Sequence, residues 1–386
     1  MSDRTDSIPH PEPNDSTVSI IVPCFNTARY VDQCLASATS QSYEDLDIVV
    51  VDDGSTDDTA AIIKSWRERD PRILVVSQAN AGLGAARNAG IAVATGSYLT
   101  FLDSDDRLPT DALERMVTTI ERTGSDFVTG VAYRFDGDRS WRASLYKRGF
   151  REDLERTHVF ERPSLLADHI ICSKLFRRTF WDEHGFTFPE GMLFEDIELA
   201  TRAHCLARSV DLLADPTYLW RSRPEGDPSI TQDRTRSGSV TQRFGALTRA
   251  DHFVRDHAPA NVWRRHGLKV LSFDIALYLH LIPSAEDRFA EEYVRAAGQF
   301  LKTASPAAIA QQGHLRKRLI EMLIAGDVRS VRAMSRLMGP RRTRTLWSRL
   351  SGVRLLRWRD RLWLIQVAGL AVWDRVRSRA PDAPEQ

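Results

Sequence analysis

Val18-Ser-Ile-Ile-Val-Pro-Cys-Phe-Asn26 and, one helix later, Asp47-Ile-Val-Val-Val-Asp-Asp-Gly-Ser-Thr-Asp57 decide the fold. Each is an apolar, β-branched run that stops abruptly in polar, turn-forming residues. That pattern marks a strand buried on both faces whose carboxyl end opens into a loop. Between them, Tyr30 to Thr39 carries helical spacing. The alternation continues with a helix from Asp57 to Arg69, a strand at Ile73 to Ser77 and a helix from Gly84 to Ala94. A strand at Tyr98 to Leu102, a helix at Asp111 to Glu121 and a strand at Phe127 to Phe135 follow. Such order predicts an α/β fold: a Rossmann-like, mostly parallel sheet flanked by helices. Ligands then bind beyond the carboxyl ends of the strands, where the unusual residues of this half lie.

The stretch to Arg162 reads as irregular. Helical segments are expected near Ser164 to His169, at Arg178 to His184 and from about Phe194, and short strands at Val210–Leu213 and Thr217–Trp220. Glycine, proline and charge mark Arg221 to Thr231 as a loop. After Thr235 the strand signal stops. Helical spacing returns at Val262 to Ile282, Glu291 to Lys302 and Leu315 to Ile324, so an all-helical C-terminal region is expected. The domain boundaries read as a flexible leader 1–15, an α/β domain 16–235, a helical domain 236–328, a basic amphipathic segment 329–379 and a tail 380–386.

A chain of 386 residues exceeds the ~150 typical of one domain. Its 42% hydrophobic and 27% charged content is that of an ordinary globular protein. Lys and Arg number 53 against 52 Asp and Glu, a net charge of +1 that argues against a dedicated nucleic-acid binder. The balance is uneven, however. Arg329 to Arg379 holds 14 Arg and no Lys against Asp360 and Asp374, so the remainder of the chain is acidic. Leu355, Trp358, Leu362, Ile365, Val372, Trp373 and Val376 form an apolar stripe there, flanked by arginines. A helix packed on the domain before it and an interfacial helix over residues 353–379 on an anionic membrane surface both fit. Cys24, Cys34, Cys172 and Cys205 have no metal spacing and read as free thiols in a reducing cytoplasm. The N-terminus has no secretory apolar core, and no run reaches the ~18 apolar residues of a membrane span.

Four motifs carry candidate chemistry. Asp53-Gly54-Ser55 ends the second strand; its carboxylate can accept from a base edge, and the same residues also make a good turn. Asn80-Ala-Gly-Leu-Gly-Ala-Ala-Arg-Asn-Ala-Gly90 feeds a helix N-terminus, suiting an anionic ligand or close helix packing. Asp103-Ser-Asp105-Asp106 closes an otherwise apolar strand, and clustered hard oxygens suit Mg²⁺ or Mn²⁺. Phe194-Glu195-Asp196-Ile-Glu198 sets adjacent carboxylates at a helix start, as a general base or as dipole-complementing charge.

The order and spacing of these motifs, from Pro23-Cys-Phe-Asn26 through Asn80-x-Gly82-x₄-Arg87 to Glu195-Asp196, resemble family 2 glycosyltransferases. These are inverting enzymes of the GT-A fold, and the likeness covers about Thr17 to Thr231. Ser173-Lys-Leu-Phe-Arg177, Pro189-Glu-Gly191 and Trp220-Arg-x-Arg223…Ser229-Ile-Thr231 resemble the branch acting on bacterial wall teichoic acid and cell-surface polysaccharides. The resemblance implies that residues 16–235 are catalytic and move a sugar from a UDP-sugar to a glycan or polyol-phosphate polymer. Pro23, Phe25, Asn26 and Asp53 would hold the nucleobase and ribose, and Asn80, Gly82 and Arg87 the diphosphate side. Asp103 and Ser104 would face the donor sugar and ribose, and Asp105 would bind Mn²⁺ or Mg²⁺. Asp196 would be the base, with Glu195 orienting it or touching donor or acceptor. Arg221, Arg223 and Ser229 would lie on a diphosphate or acceptor loop, and Ser173 and Lys174 on the acceptor side. A cytoplasmic enzyme, peripheral on the inner face of the membrane, follows, with no nucleic-acid partner. An inactive nucleotide-binding relative, or a nucleotidyl or phosphoglycerol transferase, is the alternative. Sugar, linkage and oligomeric state stay open at this point.

Overall fold

Continuous apolar strands need cover on both faces, and the fold supplies it. In the computed structural model, which describes residues 14–137, 139–146, 150–223, 229, 233 and 238–338, four parallel strands alternate with four helices. The strands are β1 (Asn14–Cys24), β2 (Leu46–Asp52), β3 (Ile73–Ser77) and β4 (Gly96–Phe101). The helices are α1 (Val31–Thr39), α2 (Thr59–Arg69), α3 (Leu83–Val93) and α4 (Ala112–Thr123). Val18, Ile20, Ile21 and Val22 of β1 and Ile48, Val49, Val50 and Val51 of β2 are all fully buried. At ~25 cal/mol per Å² of apolar surface, this double-sided burial is the main driving force for the half-sheet.

Five more strands extend it: β5 (Phe127–Asp136), β6 (Arg139–Arg142), β7 (Leu154–Thr157), β8 (Lys174–Arg177) and β9 (Val210–Arg221). The nine-stranded sheet has the order β3-β2-β1-β4-β8-β5-β9-β7, with β6 paired to β5. β8 is antiparallel to both β4 and β5, while β9 is parallel to β5. Helices α5 (Arg178–Glu183) and α6 (Glu195–Leu206) lie between β8 and β9 in the chain. The fold is therefore the expected α/β sheet with flanking helices, mixed rather than purely parallel in its second half.

Three differences from the sequence expectation have physical causes. β8 is four residues long and starts on a lysine, too short to show a period. β6 and β7 fall in the stretch read as irregular, and their charged residues are largely exposed. β9 is one strand where two were expected, because Asp215-Pro216 interrupts the apolar pattern without ending the strand. Register shifts against β5 between Thr129 and Ala132 accommodate the proline, as bulges do.

The chain divides into two compact units after Gln232, with Asp256–Ala258 counted in the first. The second unit is helical: α7 (Ser239–His257), α8 (Ala260–Lys269), α9 (Ile275–Leu279), α10 (Asp287–Thr303), α11 (Pro306–Ala310), α12 (His314–Ile324) and α13 (Val328–Met338). The helix expected over 262–282 is broken by a π turn at Val270–Asp274. There the buried Asp274 carboxylate takes Arg243 at 2.5 Å and Lys269 at 3.0 Å. Among the described residues no helix is long and apolar enough to cross a membrane. The basic segment beyond residue 338, including 353–379, lies outside the described residues.

His204 on α6 is fully buried with its ring centroid 5.0 Å from that of Phe127. Burial pulls its pKa from 6.5 down to about 3. The unfolded chain therefore takes a proton that the folded one refuses, so stability is complete above pH 6.5 and falls as the pH drops toward 3. The slope for one such proton is about 1.4 kcal/mol per pH unit. His204→Leu should flatten this acid limb in urea melts across that range. An unchanged slope would assign the limb to other groups.

Candidate active site

At the end of β1, Pro23 is buried in register with Val51, whereas Phe25 is 46% exposed, an apolar ring standing at the sheet's carboxyl edge. Asn26 adopts left-handed backbone, φ 51°; its N–H donates to Ser55 Oγ (3.1 Å) and its Oδ1 accepts from Thr56 N (2.8 Å). These bonds tie the first loop to the second.

The β2 loop is tied in turn to the third. Asp53 is buried and accepts from Gln78 Nε2 (2.7 Å), Ala81 N (2.9 Å) and Gly82 N (2.9 Å). Gly54 sits at φ 75°, where a Cβ would lie 2.9 Å from Asn80 N, so only glycine lets the two loops meet. The anion held by the glycine loop is thus the protein's own Asp53. Three of the carboxylate's roughly four acceptor positions are occupied, leaving little for the base contact expected of it. Asn80 is exposed and Gly82, at φ 90°, has open space around it. Farther along, a Cβ on Gly84 would meet Pro189 O at 2.4 Å, and one on Gly90 would meet Ile21 at 2.6 Å. The later glycines of this segment serve close packing.

Arg87 departs most from expectation. Instead of facing a diphosphate it is 2% exposed, with Nη2 2.7 Å from Asp103 Oδ1 and Nη1 bonded to Glu195 Oε1. Its guanidinium carbon lies 5.0 Å from the Phe188 ring centroid. Burial works against its charge, but Asp103 and Glu195 outweigh that and hold its pKa well above the usual value. One cation thereby binds the acidic turn after β4 to the acidic start of α6.

The turn's other carboxylates have their own partners. Asp106 is buried and accepts from Tyr218 Oη (2.6 Å) and Arg221 N (2.6 Å). Burial, with Asp105 and Asp103 nearby, pushes its carboxyl well up. Asp105, its side chain 14% exposed, takes Arg223 Nε at 2.7 Å. Burial raises its pKa while Arg223 pulls it down. Arg221 Nε donates to the Asp105 carbonyl at 2.5 Å and Arg221 Nη2 to Gln33 Oε1 at 2.9 Å. A cavity of about 500 Å³ beside them is lined by Arg29, Tyr30, Gln33, Asp136, Arg221 and Arg223, among others. Ser104 is buried. Among the described residues no three His, Cys, Asp or Glu side chains gather around a metal position. The donor set is nevertheless all hard oxygen. It fits Mg²⁺ or Mn²⁺ held by one or two carboxylates and otherwise by phosphate oxygens and water, the usual habit of Mg²⁺.

Across Arg87, Phe194 precedes α6 at φ 62°, a left-handed conformation that costs a bulky residue roughly 1–3 kcal/mol. It starts α6 so that Glu195 is buried and Asp196 half-buried. Ser173 and Lys174, expected on the acceptor side, are fully buried. Lys174 Nζ binds Asp168 at 2.6 Å, and Asp168 also accepts from Thr129 (2.5 Å) and Tyr146 (2.6 Å). A side chain so enclosed cannot touch a polymer. Asp168, Tyr146 and Thr129 lie on separate elements, and no motif announced them. Ser229 is half-buried, and its neighbours 224–228 and 230–232 lie outside the described residues.

Arg87→Met should unfold at lower urea than wild type, losing about 3–5 kcal/mol, because it leaves Asp103 and the buried Glu195 without their cation. Arg87→Lys should recover only part, lacking the fork that reaches both carboxylates. Equal stability of all three proteins would show that the bridge is dispensable.

The family model described as glycosyl transferase family 2 matches residues 19–185. Glycosyltransferase GlyG of Streptococcus pneumoniae serotype 4 is 30% identical over 215 residues, covering 53% of this chain and 71% of that protein. Poly(ribitol-phosphate) beta-glucosyltransferase of Bacillus spizizenii is 27% identical over 215 residues, 54% of this chain and 33% of that protein. Three further curated relatives match at 30% to 33% identity, and the chain spans 31% to 61% of their length. The crystal structure of S. aureus TarS 1–349 in complex with UDP-GlcNAc superposes with a TM-score of 0.70 at 21% identity, covering 84% of this chain and 92% of that one. Mannosyltransferase PcManGT from Pyrobaculum calidifontis, in complex with GDP-Man and Mn²⁺, gives 0.50 at 20% identity over 94% and 89%. The two structures share the sheet and helix arrangement described above; the sequence match to GlyG and the family model carries the assignment, and the chain belongs to glycosyl transferase family 2.

Proposed function

We propose that this chain is an inverting glycosyltransferase that moves a sugar from a UDP-sugar to a hydroxyl of a cell-envelope polymer. The observation that carries this reading is the Arg87 bridge, which holds the Asp103 turn and the Glu195–Asp196 pair beside one another. A single displacement needs those two functions close: one end of the site receives the leaving diphosphate, the other removes a proton. Phe25, exposed at the end of β1, offers a face for the nucleobase. Asp196, half-buried at the start of α6, takes the proton of the acceptor hydroxyl as that oxygen attacks the anomeric carbon. Glu195 is fixed by Arg87 and so fixes the register of α6 from which Asp196 projects. Attack from the face opposite the diphosphate inverts the anomeric centre. Asp105, with Asp103 beside it, would hold Mn²⁺ or Mg²⁺, and the bound cation would offset charge gathering on the departing diphosphate. Arg221 and Arg223 contribute positive charge on the same side.

The donor class is supported by the TarS complex with UDP-GlcNAc, and the metal by the Mn²⁺ complex of the mannosyltransferase. A polyol-phosphate acceptor is supported by the poly(ribitol-phosphate) relative. We further assign the basic stretch 353–379 to an anionic surface. Removal of everything after Gly339 is then expected to abolish co-sedimentation with anionic liposomes, and unchanged sedimentation would remove that assignment.

Asp196→Asn should lower sugar transfer by about 10²–10⁴-fold, the usual worth of a general base. Its calorimetric affinity for UDP should match wild type. Turnover near the wild-type rate would take the base role away from Asp196. Metal-dependent release of UDP from a panel of UDP-sugars identifies the donor, and release from none of them would overturn the donor class.

A further inference from the structure

We propose that Arg223 is the cation that occupies Asp105 until a metal-bound donor displaces it, so that one carboxylate exchanges a guanidinium for Mn²⁺ or Mg²⁺. The proposal rests on the reading of Asp105 as the metal-holding residue. The Asp105 side chain is only 14% exposed, follows Asp103 by two residues and adjoins Asp106, and feels the charge of both. A carboxylate so placed stays ionised most readily with a cation beside it, since an unpaired buried charge is strongly unfavourable. Arg223 supplies that cation, with Nε 2.7 Å from Oδ2. A metal would take the same oxygen's lone pairs, so the two partners compete.

The neighbouring ion pair does not offer this freedom. Arg87 on Asp103 is buried and shared with Glu195, so it cannot leave without breaking the link to α6. Arg223 is two residues past the end of β9, with its guanidinium carbon 4.9 Å from the Tyr30 ring centroid, and it lines the cavity of about 500 Å³. That cavity gives the side chain somewhere to turn once Asp105 is taken. Displaced, it remains beside the bound phosphates with its charge intact. The nucleotide-free protein is therefore self-neutralised at Asp105, and a metal binds well only when it arrives with phosphate oxygens that Arg223 can accept as new partners.

The test is Mn²⁺ titration of the full chain without nucleotide, with free Mn²⁺ followed by electron paramagnetic resonance. Arg223→Gln should bind Mn²⁺ about tenfold tighter than wild type, the effect of removing one charge-assisted competitor. Arg223→Lys, which keeps the cation, should behave like wild type. Adding Asp105→Asn to Arg223→Gln should erase the gain. Mn²⁺ affinity that is unchanged or weaker in Arg223→Gln overturns the exchange. The parent reading has its own measurement: UDP affinity of the wild type with and without Mn²⁺. A metal-independent UDP affinity would refute metal holding at Asp105, whatever the variants do.

Discussion

A buried guanidinium holding two carboxylates from distant parts of the chain is the constraint on which the rest of the site depends. Arg87 comes from the middle of α3, Asp103 from the turn after β4, and Glu195 from the first residue of α6. Without the cation, the acidic groups would repel across a space that water cannot screen well. With it, like charges become a joint, and α6 is pinned against the end of the parallel half-sheet. The planar fork matters as much as the charge, because separate nitrogens reach the two carboxylates from one rigid group. The small residues around Arg87 belong to the same requirement. Gly84 brings α3 against Pro189 and Gly90 brings it against Ile21, so the helix sits close enough for Arg87 to reach both partners.

The carboxyl ends of β2 and β4 and the start of α6 concentrate carboxylates: Asp53, then Asp103, Asp105 and Asp106, then Glu195 and Asp196. The protein handles each group differently. Asp53 is wrapped by two backbone amides and Gln78, Asp106 by neutral donors, Asp103 by a shared fixed cation and Asp105 by a cation of its own. The differences grade how readily each carboxylate changes partner. Those bound to backbone amides and buried side chains are tied into the frame, whereas Asp105 is held by a side chain that lines a cavity. Another buried ion pair, Lys174–Asp168, lies among the hydroxyls of Thr129 and Tyr146, and it secures β8 to its surroundings in the same manner.

Most of the parallel half was legible because its physics is local. Double-sided burial writes itself as unbroken Val and Ile runs, and turn chemistry writes itself as Asp-Gly-Ser and Asp-Ser-Asp-Asp. The family resemblance, too, rests on those strand ends. What sequence reading missed is non-local. Whether a carboxylate faces a ligand or a neighbouring loop depends on what the fold brings opposite it, and nothing near Asp53 in sequence says that Ala81 and Gly82 will point their amides at it. Arg87 looked like a helix N-terminal anion binder because the glycines before it suit that use. Its real partners lie 16 and 108 residues away. Lys174 stood in a motif that resembled an acceptor-side sequence, yet its position on a four-residue strand between β4 and β5 encloses it completely.

A motif shared across a family therefore mixes two kinds of residue that sequence cannot separate. Some stand at the accessible edge, and some hold those that do. Exposure divides the motif residues here: Phe25, Asn80 and Asp196 retain solvent contact, while Pro23, Asp53, Arg87, Ser104 and Glu195 have almost none. The buried set links β1, β2, β4, α3 and α6 into one rigid frame, and the accessible set projects from its edge. On the proposed reading, rigidity of that kind suits a displacement in which two groups face each other across a sugar, because held geometry removes part of the entropic barrier. The unusual backbone at Phe194 fits this division. A left-handed phenylalanine is tolerated where the surroundings over-determine it, and Arg87, by gripping the very next residue, supplies that determination.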